Sequence, residues 1–501
     1  MYVAWGLVLV AKSDAQGGPA LVWLRDDLRL ADQPALAAAV ASGAPVLCIY
    51  VFDEESAGVR PLGGASRWWL NHSLAALAES LAAIGGRLDI LQGRASEVVP
   101  AVARAAGASC AFWTRRYEAA TIAVDTAVKA SLTADGLRVE SFNGQLLFEP
   151  WTVRTKMGDF YRVFTPYWRS CLALPDPGQP APAPRKLKGA DWPAKAPKRL
   201  ALKALGLLPT KPDWAGGLRD AWIPGEAGAK ARLADFLDHG IASYASHRDR
   251  PDIPATSRLS PHLRFGEISA RQALAAARHA VDAGKAHAKD VEKFAAELGW
   301  REFSYHLLFH NPDLAHKNFQ ARFDAFPWRE ASSAELTAWK TGRTGFPIVD
   351  AGMRELWHTG TMHNRVRMIA ASFLVKDFMA DWRIGEDWFW DTLCDADPAS
   401  NAASWQWVAG SGADAAPYFR VFNPILQGLK FDPAGAYVRT WVPELAALPD
   451  AWIQKPWEAP PLILKAAKVS LPRDYPLPIV DHAMARDRAL AGFASLKAAT
   501  A

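Results

Sequence analysis

Short apolar runs alternate with amphipathic stretches through the first 145 residues of the chain. The runs are rich in Val, Leu, Ile and aromatic residues, a composition that is typical of buried strands. They occupy residues 20–25, 45–52, 87–93, 110–115 and 137–143. Stretches rich in Ala and Leu, with the period of a helix, separate them at 33–42, 66–84, 96–106 and 118–133. This alternation predicts a Rossmann-like α/β domain built on a parallel sheet, which we assign to residues 1–150.

The pattern changes twice after this domain. Residues 172–214 are rich in Pro, Ala and Lys, which is typical of an extended, solvated connector. From about residue 222 the apolar positions recur with the period of a helix, and tryptophans become frequent. We therefore predict an interdomain linker at 151–221 and an all-α domain at 222–501.

Composition narrows the class of protein. The net charge of +5 and the pI near 8.9 are compatible with a nucleic-acid partner without identifying one. The four cysteines lie far apart and form no CxxC pair, so neither a zinc ribbon nor a disulfide framework is expected. No stretch is long enough to span a membrane. The opening MYVAWGLVLVAK has a short apolar run without a basic start, so we do not expect a signal peptide. These features favour a reducing, cytosolic location.

The turn after the first predicted strand reads RDDLRLADQ and contains no glycine. A dinucleotide-binding domain would carry GxGxxG at this point, because its backbone must approach a pyrophosphate closely. We therefore do not expect a dinucleotide pyrophosphate there. The chain also has 22 tryptophans, most of which a large aromatic core explains. Indoles also stack on bases and carry electrons, so the position of each one decides its role.

Candidate chemistry lies in the second half. TSRLSPHLRFGEIS (256–269) places hydroxyls just before a helical run, which suits a phosphate, although in isolation an ordinary N-cap is the simpler interpretation. In EKFAAELGWREFSYHLL (292–308), helical spacing puts Glu297, Trp300 and Arg301 on one face with Ser304. That face is either solvated or a ligand site.

Two further segments carry polar groups at informative spacing. Asn364 and Met368 are one helical turn apart within TGFPIVDAGMRELWHTGTMHNRVRMIAASFLVKDFMADW (344–382), although a lone Met is a core residue by default. Asp395 and Asp397 follow in DADPASNAASWQWVAGSGADAAPYFRVFNP (395–424). No third ligand stands at a suitable spacing, so we predict no metal site.

Together these segments closely resemble the DNA photolyase/cryptochrome family. The resemblance starts at LVWLRDDLRLADQPAL (21–36) and is strongest across 344–424. Within the family, MHNRVRM and WQW are most similar to bacterial photolyases for cyclobutane pyrimidine dimers. The resemblance implies an N-terminal α/β domain and a C-terminal helical domain that holds FAD in a folded conformation.

The resemblance also implies an FAD site. The run that would bind the FAD phosphates comprises Tyr244, Thr256, Ser257, Leu259 and Ser260. Arg301, Asp395 and Asp397 would line the flavin and its ribityl chain. Asn401 would face the reactive flavin nitrogen, where an amide serves both the neutral radical and the reduced anion.

A lesion site is implied in the same way. Glu297 would hydrogen-bond the carbonyls of the dimer, with Asn364 and Met368 as further contacts. Trp300 and Trp407 would pack against the dimer. The chain of indoles that carries electrons to the photoexcited flavin would be Trp405, Trp382 and Trp328. The positions that would hold DNA phosphates are Arg248, Arg365 and Arg420.

The implied activity is light-dependent repair of pyrimidine dimers. A dimer inside a duplex cannot reach a buried flavin, so it must be flipped out, and photolyases are among the base-flipping enzymes. Glu297, if protonated, would donate a hydrogen bond to the dimer radical anion. The simpler alternative is an ordinary helix salt bridge between Glu297 and Arg301.

Departures from the family pattern leave alternatives open. Only Asn401 is retained from an Asn-Asn-Gly-Gly run, which here reads NAAS, and Thr361 replaces a common aromatic residue. In FWTRRYE (112–118), Glu118 fits a folate antenna site but Thr114 replaces an expected Asn. We expect an antenna, methenyltetrahydrofolate ahead of a deazaflavin.

The rival function is that of a cryptochrome, a blue-light photoreceptor without repair activity. LLFEPW (146–151) resembles plant cryptochromes and the proteobacterial photolyases most similar to them. The helical segment IVDHAMARDRALAGFASLKAA runs to the last residues, so we do not expect the long, disordered tail that cryptochromes often carry. A photolyase for (6-4) lesions would have a histidine in place of Met368, and a dark flavoenzyme would need a further substrate site. We expect a monomer that associates with the nucleoid when bound to damaged DNA.

Overall fold

The computed structural model describes residues 17–415 and 419–498. Its N-terminal part is a parallel sheet of five strands in the order β3-β2-β1-β4-β5. The strands are β1 (Ala20–Leu24), β2 (Val46–Phe52), β3 (Leu88–Gln92), β4 (Cys110–Thr114) and β5 (Arg138–Phe142). Between them lie α1 (Pro34–Ala41), α2 (Gly64–Ala83), α3 (Ala95–Ala106) and α4 (Ala119–Ala134). The predicted Rossmann-like α/β fold is confirmed.

The central strands are buried because helices cover both faces of the sheet. Every residue of β1, β2 and β4 is buried, whereas the edge strand β5 is half-exposed or exposed throughout. Separate hydrophobic clusters lie on the two sides, one around Trp68 and Trp69 and the other around Trp23 and Trp113. The chain order reverses at β1, so the cleft beside its carboxyl end is the usual place for a ligand in such sheets.

The rest of the chain is helical, and the predicted all-α character is confirmed. π-Helical turns occur at Phe236–Gly240 and Phe373–Asp377. The α-helices are α5 (Phe164–Leu172), α6 (Gly216–Ala221), α7 (Glu226–Asp235), α8 (Tyr244–His247), α9 (Ser260–Arg264), α10 (Ala270–Asp282), α11 (Ala288–His310), α12 (Ser333–Lys340), α13 (Pro347–Thr359), α14 (Asn364–Ser372), α15 (Trp382–Thr392), α16 (Ser400–Ala409), α17 (Pro424–Phe431), α18 (Ala436–Trp441), α19 (Asp450–Ile453), α20 (Pro461–Ala466) and α21 (His482–Ala498).

The connector at 172–214 is extended but less solvated than its composition predicts. Gly189 pairs with Val46, and Leu200 pairs with Ile90, so the segment runs along the sheet. Its side chains Leu187, Leu205 and Leu207 are buried in the cluster on one face of the sheet. The polar composition therefore predicts the extended character of most of this segment, which also contains a short 3-10 turn at Leu202–Leu205. It predicts the solvation wrongly, because three leucines suffice to attach the segment to the sheet. The linker limits 151–221 stay a prediction, and α5 lies within them.

The two parts of the molecule meet where the loop after β2 packs against α15. The backbone N–H of Gly64 donates to the Asp391 carboxylate at 2.8 Å, and the indole of Trp390 donates to the Pro61 carbonyl at 2.8 Å. A Cβ on Gly63 would lie 2.2 Å from the Trp390 carbonyl oxygen, so only glycine permits this close approach.

Four expectations concern features outside the fold proper. The predicted absence of a signal peptide falls on residues 1–16, outside the described residues. Within 17–415 and 419–498, no helix is both long and apolar enough to cross a membrane. The four cysteines are free and buried. The same described residues contain no group of three His, Cys, Asp or Glu side chains arranged to hold a metal ion.

Candidate functional site

Helix α11 presents the predicted face of Glu297, Trp300 and Arg301. Trp300 stacks on Phe164 of α5, with ring centroids 3.8 Å apart and planes 10° apart. Arg301 donates to the Gln145 carbonyl at 2.9 Å, while its Nη2 is buried and has no hydrogen-bond partner among the described residues. The face is therefore partly buried and holds an unsatisfied cationic donor, which distinguishes it from a solvated surface.

Glu297 does not pair with Arg301, so the simple helix salt bridge is wrong. Its carboxylate accepts from Arg248 and lies 3.1 Å from the Lys293 ammonium. The side chain is 25% exposed, and these two cations lie beside it. Glu297 is therefore not deeply buried beside indoles. Protonated Glu297 stays a prediction for the lesion complex.

Two of the arginines predicted to hold phosphates, Arg248 and Arg365, lie beside carboxylates. Arg365 donates to Asp249 at 2.9 Å and lies over the Phe431 ring, 4.5 Å from its centroid. Arg248 lies between Glu297 and Asp249. Asp249 stands in HRDRPD (247–252), where its alternation with arginines is the only sequence signal for this pairing. DNA phosphates would have to compete with Asp249 and Glu297 for these guanidinium groups.

The start of α14 carries the other two predicted dimer contacts. Asn364 is exposed at the first position of the helix, and Met368 is half-buried one turn later. His363 caps the helix by accepting from the Arg365 N–H at 3.2 Å. Burial lowers the pKa of His363 to about 4, which keeps the ring neutral and able to accept this bond. The cap thus orders the first turn of α14, where Asn364 lies.

The two carboxylates of the 395–397 loop have different local partners. Asp395 forms a bidentate pair with Arg367, with distances of 3.1 and 2.9 Å. Asp397 is buried and accepts from the N–H groups of Ala399 and Ser400 at 2.9 and 2.6 Å, where it orders the first turn of α16. Both carboxylates are thereby held in place. Their contact with a flavin stays a prediction.

Asn401 lies on α16 and is buried against α15. Its Nδ2 donates to the Glu386 carbonyl at 3.0 Å and to Glu386 Oε1 at 2.8 Å. Glu386 in turn forms a bidentate pair with Arg60 of the N-terminal part, at 2.8 and 2.9 Å. Sequence reasoning missed Glu386 and Arg60, because nothing in the sequence brings positions so far apart together.

The predicted phosphate-binding run lies between α8 and α9. Tyr244 is buried, which raises the pKa of its phenol, while Leu259 is buried and Ser260 is exposed at the start of α9. Thr256 and Ser257 are half-buried. Their successor Arg258 has φ of 50°, a left-handed conformation that is unusual for a residue with a side chain.

The predicted electron-carrying indoles lie in or against one core cluster. Trp405 is buried and meets Phe389 and Trp339 edge-on, with centroids 4.9 and 6.2 Å away. Trp382 is fully buried and donates to Asn318 Oδ1 at 2.9 Å. Trp328 is only partly buried. The gradation from buried to partly exposed suits a path to the surface, and the order of the steps stays a prediction.

Trp407 and Arg420 share a cavity of about 190 Å³ at the end of α16. The Trp407 indole donates to the Asp414 carbonyl at 3.1 Å, and Arg420 is exposed. Lys376 also lines the cavity; it is fully buried, which lowers its pKa, and it donates to the Ala409 carbonyl at 2.7 Å. No motif indicated Lys376, because a lone lysine in a helical pattern is normally solvated.

The hydrogen-bonding capacity of these side chains fits FAD. The buried Nη2 of Arg301 lacks an acceptor, which a bound polar ligand would supply. Both N–H groups of the Asn401 amide are used within the protein, which leaves its oxygen for a ligand. The half-buried hydroxyls of Thr256 and Ser257 stand beside the left-handed Arg258, and hydroxyl donors of this kind suit a phosphate.

Comparison with family models agrees with both parts of the molecule. The model described as DNA photolyase matches residues 20–185. The model described as the FAD binding domain of DNA photolyase matches residues 294–495.

Individual relatives match over nearly the whole chain. A deoxyribodipyrimidine photo-lyase of Agrobacterium fabrum is 54% identical over 484 residues, which cover 96% of this chain and 99% of the relative. Cryptochrome-1 of Arabidopsis thaliana is 40% identical over 94% of this chain and 70% of its own length. The crystal structure of a bacterial class III photolyase from Agrobacterium tumefaciens superposes with a TM-score of 0.92 at 52% identity, covering 98% of this chain and 99% of that one.

Proposed function

The chain belongs to the DNA photolyase/cryptochrome family, and from this membership we propose that it is a deoxyribodipyrimidine photo-lyase. Its reaction is the light-dependent splitting of cyclobutane pyrimidine dimers in DNA. FAD, when bound, supplies the electron that enters the dimer on illumination and accepts it back after the ring bonds break. The alternative is a blue-light photoreceptor of the cryptochrome type.

One observation carries the proposal beyond family membership. Helices α11 and α14 both pack against α16, and these three helices bear the residues predicted to contact the dimer. Arg248 and Asp249 join α11 to the start of α14 through their contacts with Glu297 and Arg365. A lesion pocket built on three packed helices is rigid enough to hold a flipped-out dimer in one orientation.

The protein's own residues would act by stacking, hydrogen bonding and charge. Trp300, held flat against Phe164, and Trp407 would replace the stacking that the dimer loses when it leaves the duplex. Glu297 would exchange Arg248 and Lys293 for the dimer carbonyls, and the freed Arg248 would meet a phosphate. Binding would thus convert an internal ion pair into two contacts with DNA.

The residues whose hydrogen-bonding groups fit FAD would hold the cofactor. Arg301, Asn401 and the run Thr256–Ser260 offer a buried cationic donor, an amide acceptor and hydroxyls beside the start of a helix. Asp395 and Asp397 would complete the lining, each already oriented by its protein partners.

A repair assay tests the function directly. Purified protein is reduced, mixed with DNA that contains cyclobutane dimers and exposed to blue light, and intact pyrimidines are counted against a dark control. We expect light-dependent restoration with multiple turnovers. Binding of FAD and light-driven reduction without any restored pyrimidine would favour the photoreceptor instead.

We propose that an antenna chromophore binds in the cleft at the carboxyl end of β1. Glu118, Tyr50 and Trp390 line this cleft, and burial raises the pKa of Glu118. A folate would find an aromatic wall and a carboxyl group there, which supports it ahead of a deazaflavin. Thr114 is oriented away, since its hydroxyl donates to Asp27. Absorption spectra of the protein before and after extraction of its chromophores identify the antenna.

The proposal also covers the location and the oligomeric state of the protein. We expect a cytosolic monomer that associates with the nucleoid only through damaged DNA. Sedimentation of the purified protein alone and with a dimer-containing duplex checks the oligomeric state in both conditions.

A further inference from the structure

The amide of Asn401 is oriented by a chain of contacts that begins in the other part of the molecule. A primary amide offers two N–H donors and one oxygen acceptor. Both donors of Asn401 point to Glu386, one to its carbonyl at 3.0 Å and one to Oε1 at 2.8 Å. If this arrangement is kept when a ligand binds, Asn401 can only accept a hydrogen bond from it.

Glu386 is itself held by Arg60. The carboxylate is buried, with a relative exposure of 3%, and both of its oxygens accept from the guanidinium at 2.8 and 2.9 Å. Arg60 also donates to the exposed Asp387 at 2.6 Å and lies over the Trp390 ring, 4.2 Å from its centroid. A bidentate pair of this kind fixes the plane of the carboxylate as well as its charge.

Arg60 is presented by the loop that packs against α15. The close approach at Gly63 and the bond from Gly64 to Asp391 hold this loop against the helix that carries Glu386. The position of the guanidinium is therefore set by the contact between the two parts of the molecule.

We propose that Glu386 and Arg60 are positioning residues that keep the Asn401 amide oxygen turned toward the flavin, and so favour flavin states whose reactive nitrogen carries a proton. The inference rests on the proposed FAD site. Oxidised flavin has a lone pair on that nitrogen and gains nothing from an acceptor, whereas the neutral radical and the reduced anion both have an N–H to donate. Without Glu386 the amide is free to turn and donate to the oxidised form.

The test is a redox titration of the FAD-loaded protein with dithionite, in which spectra give the ratio of neutral radical to oxidised flavin at a fixed potential. Glu386→Ala is expected to lower this ratio at least tenfold, equivalent to about 59 mV for one electron. Arg60→Gln is expected to lower this ratio about threefold, because the Glu386 carboxylate stays but loses its bidentate partner. Glu386→Gln keeps an acceptor for Asn401 and is expected to stay within about twofold of the wild type.

Asp387→Asn is the matched control, because it removes the exposed partner of the same arginine and leaves Glu386 and Asn401 untouched. An unchanged ratio in Glu386→Ala overturns the proposal, as does an equal shift in Asp387→Asn. Should Glu386→Ala fail to retain FAD, Arg60→Gln decides, and an unchanged ratio there overturns it equally. The repair assay is scored separately: a redox shift in a protein without repair would refute the photolyase function and leave this inference standing.

Discussion

Glu297 shows how a single side chain serves two states of the molecule. Its carboxylate lies between Arg248 and Lys293, with a quarter of its side-chain surface exposed. A dimer flipped out of the duplex would cover that surface and displace the two cations. Spacing along α11 predicts which face Glu297 occupies. It cannot predict Arg248, which is 49 residues away and follows the end of α8.

Replacement of Glu297 separates repair from cofactor binding. Glu297→Gln keeps a hydrogen-bond donor that cannot ionise, so we expect full FAD content and most of the repair quantum yield. Glu297→Ala should keep FAD and lose several-fold in yield, since the dimer radical anion loses its donor. Glu292→Gln, an exposed acid on the same helix, is the control. The catalytic role is disproved by equal yields in Glu297→Ala and the wild type.

His306 gives the molecule a defined sensitivity to acid. Its Nε2 accepts from the Tyr161 N–H at 3.0 Å and its Nδ1 faces the Pro150 carbonyl at 3.2 Å, an arrangement that requires a neutral ring. Burial, followed by repulsion from His310, lowers its pKa from 6.5 to about 4. Between these two values the unfolded chain binds a proton that the folded protein does not, so stability falls as pH falls through this window.

His306→Gln should remove this sensitivity, because an amide can accept from Tyr161 and donate to Pro150 without titrating. From pH 7 to pH 5 we expect the wild type to lose about 2 kcal/mol more unfolding free energy than the variant. Urea unfolding at the two pH values measures the difference. His279→Gln, on the exposed side of α10, should behave as wild type. Equal losses in His306→Gln and the wild type would show that another group is responsible.

At the scale of elements, local patterns predict best where the cause is local. Each of the five predicted strands overlaps an observed one to within a residue or two at each end, because short apolar runs between polar turns have few alternatives. The connector is different, since Leu187, Leu205 and Leu207 stand in a polar stretch and become buried only through the sheet beside them. Glu386 and Arg60 could not be predicted for the same reason, because the two partners are 326 residues apart along the chain.

Trp382 of α15 and Trp405 of α16 are expected to act, with Trp328, as an electron path and not as repair residues. Trp382→Phe should slow light-driven reduction of oxidised FAD at least tenfold, because an oxidisable ring is lost from the core. The chemically reduced variant should still repair dimers with wild-type yield. Flash photolysis measures the first effect and the repair assay the second.

Trp151→Phe, which changes a partly exposed indole outside this cluster, is the control for the Trp382 variant. FAD content must be measured as well, because the loss of a fully buried indole leaves a small cavity and frees Asn318 Oδ1. If the fully reduced variant binds FAD and DNA but does not repair, the division of roles between the indoles and the lesion pocket is wrong.

At the scale of the whole molecule, a small net charge of +5 conceals a local arrangement of arginines. Arg248, Arg365 and Arg420 are the groups we expect to meet DNA phosphates. Two of them begin in ion pairs with carboxylates, so part of the gain on binding DNA is offset by the pairs that are broken.

The salt dependence of DNA binding counts the phosphates that are neutralised. Arg248→Gln, Arg365→Gln and Arg420→Gln should each weaken binding and reduce the slope of log affinity against log salt by about one unit. Fluorescence anisotropy with a dimer-containing duplex at several salt concentrations gives the slope. Arg219→Gln, an exposed arginine paired with Asp213, should leave it unchanged. Unchanged slopes in all three single variants would remove these arginines from the DNA interface.

The connector that runs along the sheet also determines how the protein would aggregate after proteolysis. Strand β3 is an edge strand, and the Leu200 N–H donates to its Ile90 carbonyl at 2.8 Å, so the connector occupies hydrogen-bonding groups that would otherwise be open to another chain. The opposite edge, β5, carries Arg138 and Glu140 instead, and charges discourage pairing between edges. A protease that cuts the connector would therefore uncover a ready template for intermolecular strand pairing. The first consequence of such a nick would be self-association through β3, before any loss of the helical part.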